Sequence, residues 1–225
     1  MWYKSSQVKS SQAIIASGYF DLLDKAQQIL SIENILNKVE LCDICKYSNK
    51  KIDAHSLNKH NYVGVDNLLK NKKGKIESDF VPIKGKVNSF KKDDILIGNI
   101  RPYLKKIWMA EYDGGASGDV LIFSIRNEYE SKIIPRFLYF NLSSEKFFEY
   151  DIGYSKGAKM PRGDKKAIME YKIPVPPIPV QEHIVSILDK FDELVNDISA
   201  GIPKEIELRQ KEYEFYREKL LNFPR

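Results

Sequence analysis

The sequence predicts an α+β protein, with a sheet-dominated domain over residues 38–178 and a helical region over residues 179–225. Three observations support this fold class. Short apolar runs separated by Gly, Asn and Asp fill residues 39–125, apolar residues at helical spacing follow Pro135, and a proline-dense stretch precedes a heptad pattern. With 225 residues and 43% hydrophobic content, the chain can bury a substantial core.

Residues 1–37 precede this domain and read as a polar tail followed by one amphipathic helix, in which Leu22, Ala26 and Ile29 recur at helical spacing. No stretch approaches the roughly 18 apolar residues of a membrane span. The N-terminus also lacks the apolar centre of a signal peptide. We therefore expect a soluble, cytoplasmic protein without a membrane partner.

The main domain is expected to contain short strands and one helix. The apolar runs that predict strands cover residues 62–65, 80–83, 95–100, 107–110 and 120–125, and a further short strand is expected around 171–175. Pro135 is suited to the first position of a helix that carries aromatic residues as far as Phe148. Four prolines between Pro174 and Pro179 predict a stiff, extended connector at the end of the domain.

The C-terminal region carries a heptad seam, which is typical of a helix that packs against another helix. The expected dimer or partner interface comprises Ile184, Ile187, Phe191, Leu194 and Ile198, and then Ile206, Tyr213, Tyr216 and Leu220. Gly201 and Pro203 separate the two sets and shift their phase. Each half is too short for a stable isolated coiled coil, so the region needs its own domain, a second copy or another protein as partner.

The charge of the chain is unevenly distributed. Residues 46–106 hold 15 Lys/Arg against 6 Asp/Glu, residues 111–151 hold 4 against 8, and residues 153–172 hold 6 against 2. Two basic stretches around an acidic one indicate a polarised surface of the kind that attracts phosphate backbones. A solvated, lysine-rich surface without a binding role is the alternative.

One pattern superficially resembles a zinc site. Cys42 and Cys45 are followed by His55 and His60, but the gap between the pairs is shorter than in the usual zinc finger. Reduced cysteines beside a partly buried strand and surface histidines explain the pattern more simply. We expect no metal.

Other catalytic patterns are weak. Asp119, Glu130 and Lys132 can be fitted to a nuclease metal site only with the loose spacing that a chain with 30% charged residues produces by chance. His183 is a lone histidine, and no phosphate-binding glycine motif is present. We expect no catalytic residue and no cofactor.

Several segments, read together and in order, resemble the specificity subunit of Type I restriction-modification systems. They are KVELCDI (38–44), YVGVD (62–66), DILIGNIRPYL (94–104), GGASGDVLIF (114–123), IPVPPIPVQEHI (173–184) and YEFYREKLL (213–221). The resemblance implies a target recognition domain followed by a helical spacer. Members usually contain two of each, whereas this chain has one of each, which implies a homodimer that reads a palindromic two-part site.

The resemblance also implies the partners: double-stranded DNA, DNA methyltransferase subunits and, where the system has one, a restriction subunit. The chain itself would be a non-catalytic specificity subunit. Three alternatives stay open, namely a recognition module for another modification enzyme, a silent cassette that recombines with a full-length subunit, and a nonspecific nucleic-acid-binding protein.

Three loops, at residues 71–75, 98–106 and 154–166, are the expected DNA contacts because they combine cations with glycines. The candidate residues are Lys72, Lys73, Lys75, Arg101, Tyr103, Lys105, Lys156, Lys159, Arg162, Lys165 and Lys166. Arg101 and Arg162 are the favoured base readers because a guanidinium group can grip guanine at two points. A structural role beside Pro102 is the alternative for Arg101.

Overall fold

The computed structural model describes residues 38–190 and residue 192. Two compact units are present, one formed by residues 32–185 and the other by residues 1–31 and 186–225. The expected N-terminal helix lies outside the described residues. So does most of the expected partner interface, namely Phe191, Leu194, Ile198, Ile206, Tyr213, Tyr216 and Leu220.

A four-stranded antiparallel sheet forms the centre of the 32–185 unit. Its strands are β2 (Cys45–Tyr47), β6 (Ile95–Gly98), β7 (Ile107–Met109) and β9 (Val120–Ile125), in the order β2-β9-β6-β7. Every residue of β6 is buried, and this explains why its sequence is continuously apolar rather than alternating. The predictions of strands within 95–100, 107–110 and 120–125 are confirmed.

A second four-stranded sheet has the order β3-β5-β8-β4. It comprises β3 (Lys51–Asp53), β4 (Tyr62–Val63), β5 (Lys86–Phe90) and β8 (Gly114–Ala116). Gly114 is required in β8 because a Cβ atom there would lie 2.2 Å from the carbonyl oxygen of Asn61. The same close approach lets β4 pair with β8 in parallel.

Short helices and a two-stranded sheet complete the described part of the unit. The strands β1 (Lys38–Glu40) and β10 (Lys172–Pro174) pair antiparallel, and the helices are α1 (Leu41–Ile44), α2 (Pro135–Leu142), α3 (Glu145–Tyr154) and α4 (Lys165–Glu170). A further helix occupies residues 178–190.

The central sheet is buried on both faces, which divides the apolar core in two. Ile95 and Phe123 face a core shared with the helices, whereas Leu96 and Ile122 face a core shared with the second sheet. This alternation follows from the two-residue period of a strand. The sheet is thereby a fixed platform for the loops at its ends.

The start of the 178–190 helix is fastened to the domain by Gln181, whose side chain is fully buried. Its Nε2 donates hydrogen bonds to the carbonyls of Lys132 and Pro176, both at 2.7 Å, and its Oε1 accepts one from the amide of Ile134 at 2.9 Å. Ile184, the first residue of the heptad seam, packs against the core of this same domain.

Three expectations about local structure are wrong. The run at 80–83 is not a strand, since Phe80 and Ile83 are 76% and 77% exposed and the strand begins only at residue 86. The single helix after Pro135 is two helices, because Ser144 starts a new one by accepting a hydrogen bond from the amide of Phe147. The extended connector ends before Pro179, which lies in the first turn of the 178–190 helix.

Candidate nucleic-acid interface

The three predicted DNA-contacting loops lie side by side. We call them the lysine loop (71–75), the central loop (98–106) and the glycine loop (154–166). The amides of Asn71 and Lys72 in the lysine loop donate to the carbonyls of Leu104 and Lys105 in the central loop, both at 2.9 Å. Segments about 30 residues apart in the chain are thus joined through their backbones.

The central loop is joined in the same way to the glycine loop. The amide of Arg101 donates to the carbonyl of Pro161 at 2.7 Å, and the amide of Gly163 donates to the carbonyl of Asn99 at 3.2 Å. The sequence predicts the three loops as separate DNA contacts, and the fold joins them into one continuous surface. We call it the loop surface.

The backbone of the loop surface is strained. Asn71, Lys72, Arg101 and Lys105 have left-handed φ angles of 56°, 61°, 54° and 49°. A non-glycine residue in this region costs on the order of 1–3 kcal/mol and persists where the surroundings enforce it. Among the described residues, Asp93 is the one other non-glycine residue with a positive φ. Strain therefore concentrates at the place where cations are presented, as is typical of binding sites.

Two of the cations meet at one carboxylate. Glu145, the first residue of α3, forms ion pairs with Lys72 at 3.0 Å and with Lys105. Hydrogen bonds from the two ammonium groups lower the pKa of Glu145. The carboxylate holds both lysines in place at the junction of the lysine and central loops.

The glycine loop carries two further ion pairs. Lys156 lies 2.5 Å from Asp164, and Nε of Arg162 lies 3.3 Å from Oδ1 of Asp119. Asp164 also accepts hydrogen bonds from the amides of Lys166 and Ala167 and so caps α4. The hydrogen bond from Lys156 and these backbone bonds lower the pKa of Asp164.

Other predicted cations are exposed without a carboxylate partner among residues 38–190. They are Lys73, Arg101, Lys159 and Lys165. Lys166 lies 3.9 Å from Glu170, and Tyr103 is 50% exposed. These side chains are accessible to an anionic ligand on the loop surface.

Lys75 differs from the other candidates. Its ammonium group lies 5.3 Å from the ring centroids of both Trp108 and Tyr112, and it donates a hydrogen bond to the carbonyl of His60 at 2.9 Å. These contacts tie the end of the lysine loop to an aromatic cluster on the second core.

Two buried oxygens lie beneath the junction of the central and glycine loops. Asn99 and Asp151 are 6% and 1% exposed, and the Oδ1 atom of each has no hydrogen-bond partner in the described structure. Burial raises the pKa of Asp151 to about 6. Both oxygens face Gly163, where an added Cβ would lie 2.3 Å from the Asp151 oxygen and 3.0 Å from the Asn99 oxygen.

A groove of about 560 Å³ opens beside the loop surface. Arg101 of the central loop, Met160 of the glycine loop, and Ile76 and Phe80 of the preceding segment contribute to its walls. Lys106 lines it as well and is only 8% exposed.

The residues of the zinc and nuclease alternatives have ordinary structural positions. Among the described residues, no group of three or more His, Cys, Asp or Glu side chains is arranged to hold a metal. Cys45 is buried, and that burial raises its pKa to about 12, while Asp119 pairs with Arg162. No helix in the described ranges is long and apolar enough to cross a membrane.

The acidic partners of the interface were missed by sequence reasoning. Asp164 has a local signal, since an Asp directly before a helical pattern is a typical N-cap. Glu145 has none, because its partners Lys72 and Lys105 are 73 and 40 residues away. Such pairs become visible only when the fold is known.

Comparison with protein families gives one extended match. A family model of the Type I restriction modification DNA specificity domain matches residues 36–208. This range contains the sheets, the loop surface and the start of the C-terminal region.

Two curated relatives share this similarity over parts of the chain. A specificity subunit of a Type I restriction enzyme from Escherichia coli is 43% identical over 93 residues, which are 41% of this chain and 23% of the relative. A putative type I restriction enzyme specificity subunit from Haemophilus influenzae is 34% identical over 156 residues, which are 64% of this chain and 36% of the relative. The matches thus span about a quarter to a third of these relatives.

A solved structure shares the fold. The crystal structure of the HsdS subunit from Thermoanaerobacter tengcongensis aligns with a TM-score of 0.54 at 20% sequence identity. The alignment covers 76% of this chain and 46% of that one.

Proposed function

The chain belongs to the family of Type I restriction modification DNA specificity domains, and from this premise we propose that it recognises a DNA sequence and directs methyltransferase subunits to it. The observation that carries the proposal is the loop surface. Three basic loops, far apart in sequence, are joined by backbone hydrogen bonds into one strained and largely exposed cationic surface.

Phosphate contacts position a protein on DNA, and the loop surface supplies the groups for them. Lys73, Lys159 and Lys165 are exposed and have no carboxylate partner among the described residues. Each phosphate that such a cation neutralises releases counterions and makes binding weaker at higher salt. The affinity of the complex for DNA is therefore expected to fall steeply with ionic strength.

The paired cations add pre-organisation. Glu145 holds Lys72 and Lys105, and Asp119 orients Arg162. The pairs are partly exposed, so exchanging a carboxylate for a phosphate costs little because exposed ion pairs contribute only about 0–1 kcal/mol. The carboxylates keep the cationic side chains in position until the phosphates of DNA replace the carboxylates as their partners.

Arg101 and Arg162 are the proposed readers of bases. Both are exposed and lie on adjacent segments of the loop surface, since Ile100, next to Arg101, forms an isolated β-bridge with Arg162. A guanidinium group that contacts guanine at O6 and N7 discriminates by about 1–3 kcal/mol against another base. The fixed backbones of the two loops limit the positions that these groups can reach.

We propose a homodimer through the C-terminal region, which reads a palindromic two-part site, with methyltransferase subunits along the same region and a restriction subunit where the system has one. The buried Gln181 supports this by fixing the start of the 178–190 helix to the recognition domain. The proposal assigns the chain no catalytic step and no cofactor.

Mapping of methylated bases tests the proposal. The chain is co-expressed with the methyltransferase encoded nearest to it, and every methylated base in the host DNA is located with and without the chain. A two-part palindromic motif that depends on the chain supports both recognition and the homodimer, whereas an asymmetric motif supports recognition and contradicts the homodimer. A co-purified complex that methylates no motif contradicts the recognition role.

A further inference from the structure

The groove beside the loop surface has an apolar wall. Ile76, Phe80 and Met160 form this wall and are 50%, 76% and 46% exposed. Large apolar side chains left in solvent beside a polar rim are typical of a binding surface. The wall joins two separate segments, because Met160 belongs to the glycine loop.

The exposure of Phe80 is built into the fold. Ser78, two residues before it, is 5% exposed; its amide donates to the carbonyl of Lys59 at 2.8 Å and its hydroxyl to the carbonyl of Phe80 at 2.6 Å. The amide of Ile76 is held by the carbonyl of Asn67 at 2.9 Å. The backbone is thus anchored just before Phe80 and at its own carbonyl, while the core leaves the aromatic ring outside.

Cations line the groove together with this wall. Arg101 is exposed on a left-handed backbone, and Lys106 is nearly buried, with its ammonium group 2.6 Å from the carbonyl of Val65. The lining also holds the carboxylates of Asp66, Asp79 and Asp119, of which Asp119 is paired with Arg162. The groove therefore presents hydrogen-bond donors and acceptors beside its apolar wall. A ligand that matches it offers an apolar group beside polar groups of both kinds, as the edge of a base pair does.

Resting on the proposed function, we propose that this groove is a base-contacting site for thymine. Phe80 and Met160 pack against the C5-methyl group of a thymine in the major groove, and Arg101 contacts the polar edge of the adjacent base pair. Apolar side chains recognise thymine in this way because its methyl group has no counterpart on the other three bases. The segment 76–80 thereby becomes a fourth contributor to recognition, beside the three basic loops.

The test measures specificity in the full chain bound to its methyltransferase. The probes are a duplex that carries the methylated motif and a shuffled duplex of the same composition. The quantity compared is the specificity ratio, which is the dissociation constant for the shuffled duplex divided by that for the motif. Phe80→Ala is expected to lower this ratio about tenfold while the affinity for the shuffled duplex stays unchanged. Ile83→Ala is the matched control, since Ile83 lies three residues after Phe80 and is 77% exposed but does not line the groove.

A second measurement identifies the base. Each thymine of the motif is replaced in turn by deoxyuridine, which lacks only the methyl group. The wild-type complex is expected to lose at least fivefold in affinity at one position, and Phe80→Ala should lose nothing further there. This non-additivity is the sign of direct contact between the ring and the methyl group.

The outcomes separate the inference from the function on which it rests. A wild-type complex that does not discriminate the motif from the shuffled duplex contradicts the proposed function itself. If the wild-type complex discriminates between the two duplexes and Phe80→Ala has the same specificity ratio as wild type, the groove proposal alone is overturned. Equal losses in Phe80→Ala and Ile83→Ala, a motif without an A·T pair, or indifference to every deoxyuridine also overturn it.

Discussion

Gly163 is the point where the glycine loop rests on the buried oxygens beneath it, and we predict that Gly163→Ala destabilises the domain. The new Cβ atom would lie 2.3 Å from Oδ1 of Asp151 and 3.0 Å from both Oδ1 of Asn99 and Cδ1 of Ile168. Asp151 is 1% exposed, so its carboxylate is enclosed by neighbouring atoms. The methyl group therefore has to displace the Asp151 side chain, the loop or α3.

The size of the effect follows from this overlap. Introducing one carbon into a closely packed site typically costs about 1–3 kcal/mol. We expect the upper half of this range, about 2–3 kcal/mol, because the closest approach is to a buried carboxylate rather than to a flexible apolar group. For a domain of this size the loss corresponds to roughly 5–10 °C in Tm.

Gly153→Ala is the matched control because it makes the same chemical change ten residues earlier. Nothing lies within 4 Å of a Cβ atom at Gly153, which belongs to α3. Alanine is the better helix former, so this variant is expected to be more stable than wild type by about 0.5 kcal/mol.

Urea unfolding followed by far-UV circular dichroism measures both variants. The two substitutions should shift the midpoint in opposite directions. Equal midpoints for Gly163→Ala and wild type would falsify the inferred close packing, and equal losses in the two alanine variants would attribute the effect to the loss of glycine alone.

The remaining predictions concern pH, the start of the C-terminal helix and the phosphate contacts. Burial raises the pKa of Asp151 to about 6, above the roughly 3.9 of an unfolded chain, so the stability that protonation provides is complete below about pH 4 and is lost as the pH rises through about 6. Asp151→Asn cannot titrate, so its free energy of unfolding relative to that of wild type should be about 2–3 kcal/mol higher at pH 7 than at pH 4 when both are measured by urea unfolding. A difference between variant and wild type that does not change with pH would contradict this. Gln181→Ala leaves two carbonyls and one amide without partners and should lose about 2–3 kcal/mol in the free energy of unfolding, whereas the exposed Glu182→Ala should stay within about 0.5 kcal/mol of wild type. Lys159→Ala should weaken DNA binding by the complex by about 1 kcal/mol and reduce the salt slope by about 1, while Lys46→Ala, which lines a separate cavity, should bind as wild type does; equal effects of the two substitutions in filter binding would point to net charge instead.

The sequence predicted those strands whose burial determines their composition. The strands β6 and β9 belong to a sheet that is covered on both faces, so their residues are apolar apart from Gly98 and Ser124 and stand out from the surrounding chain. The strand β8 was missed because Gly-Gly-Ala has little strand propensity, and its glycines are explained only by the close approach of Asn61 and Val87. The run at 80–83 was wrongly predicted as a strand because an apolar segment that is exposed at the surface cannot be told in sequence from one that is buried in the core.

The candidate interface divides in a similar way. Local composition identified the three loops, because cations and glycines mark them without reference to the fold. The ion pairs of Glu145 and Asp119 were not predictable, since their partners are 40 to 73 residues away in the chain. The groove was also missed, because Ile76, Phe80 and Met160 are brought together by tertiary structure.

The loop surface separates the groups that hold its shape from the side chains that are proposed to contact DNA. Its loops are joined by hydrogen bonds between backbone groups, which are largely independent of side-chain identity, and the side chains of Lys73, Arg101 and Lys159 take no part in those bonds. Substitution of these side chains should therefore change DNA binding with little change in stability, usually within about 0.5 kcal/mol for surface positions. Gly163 and Asp151 are the opposite case, because their close packing fixes the position of the glycine loop and so affects every contact that the loop makes. If the sequence that the domain recognises were changed by substitution, the change should come from a proposed base reader such as Arg101, whereas substitutions at Gly163 or Asp151 should weaken binding to all DNA sequences alike.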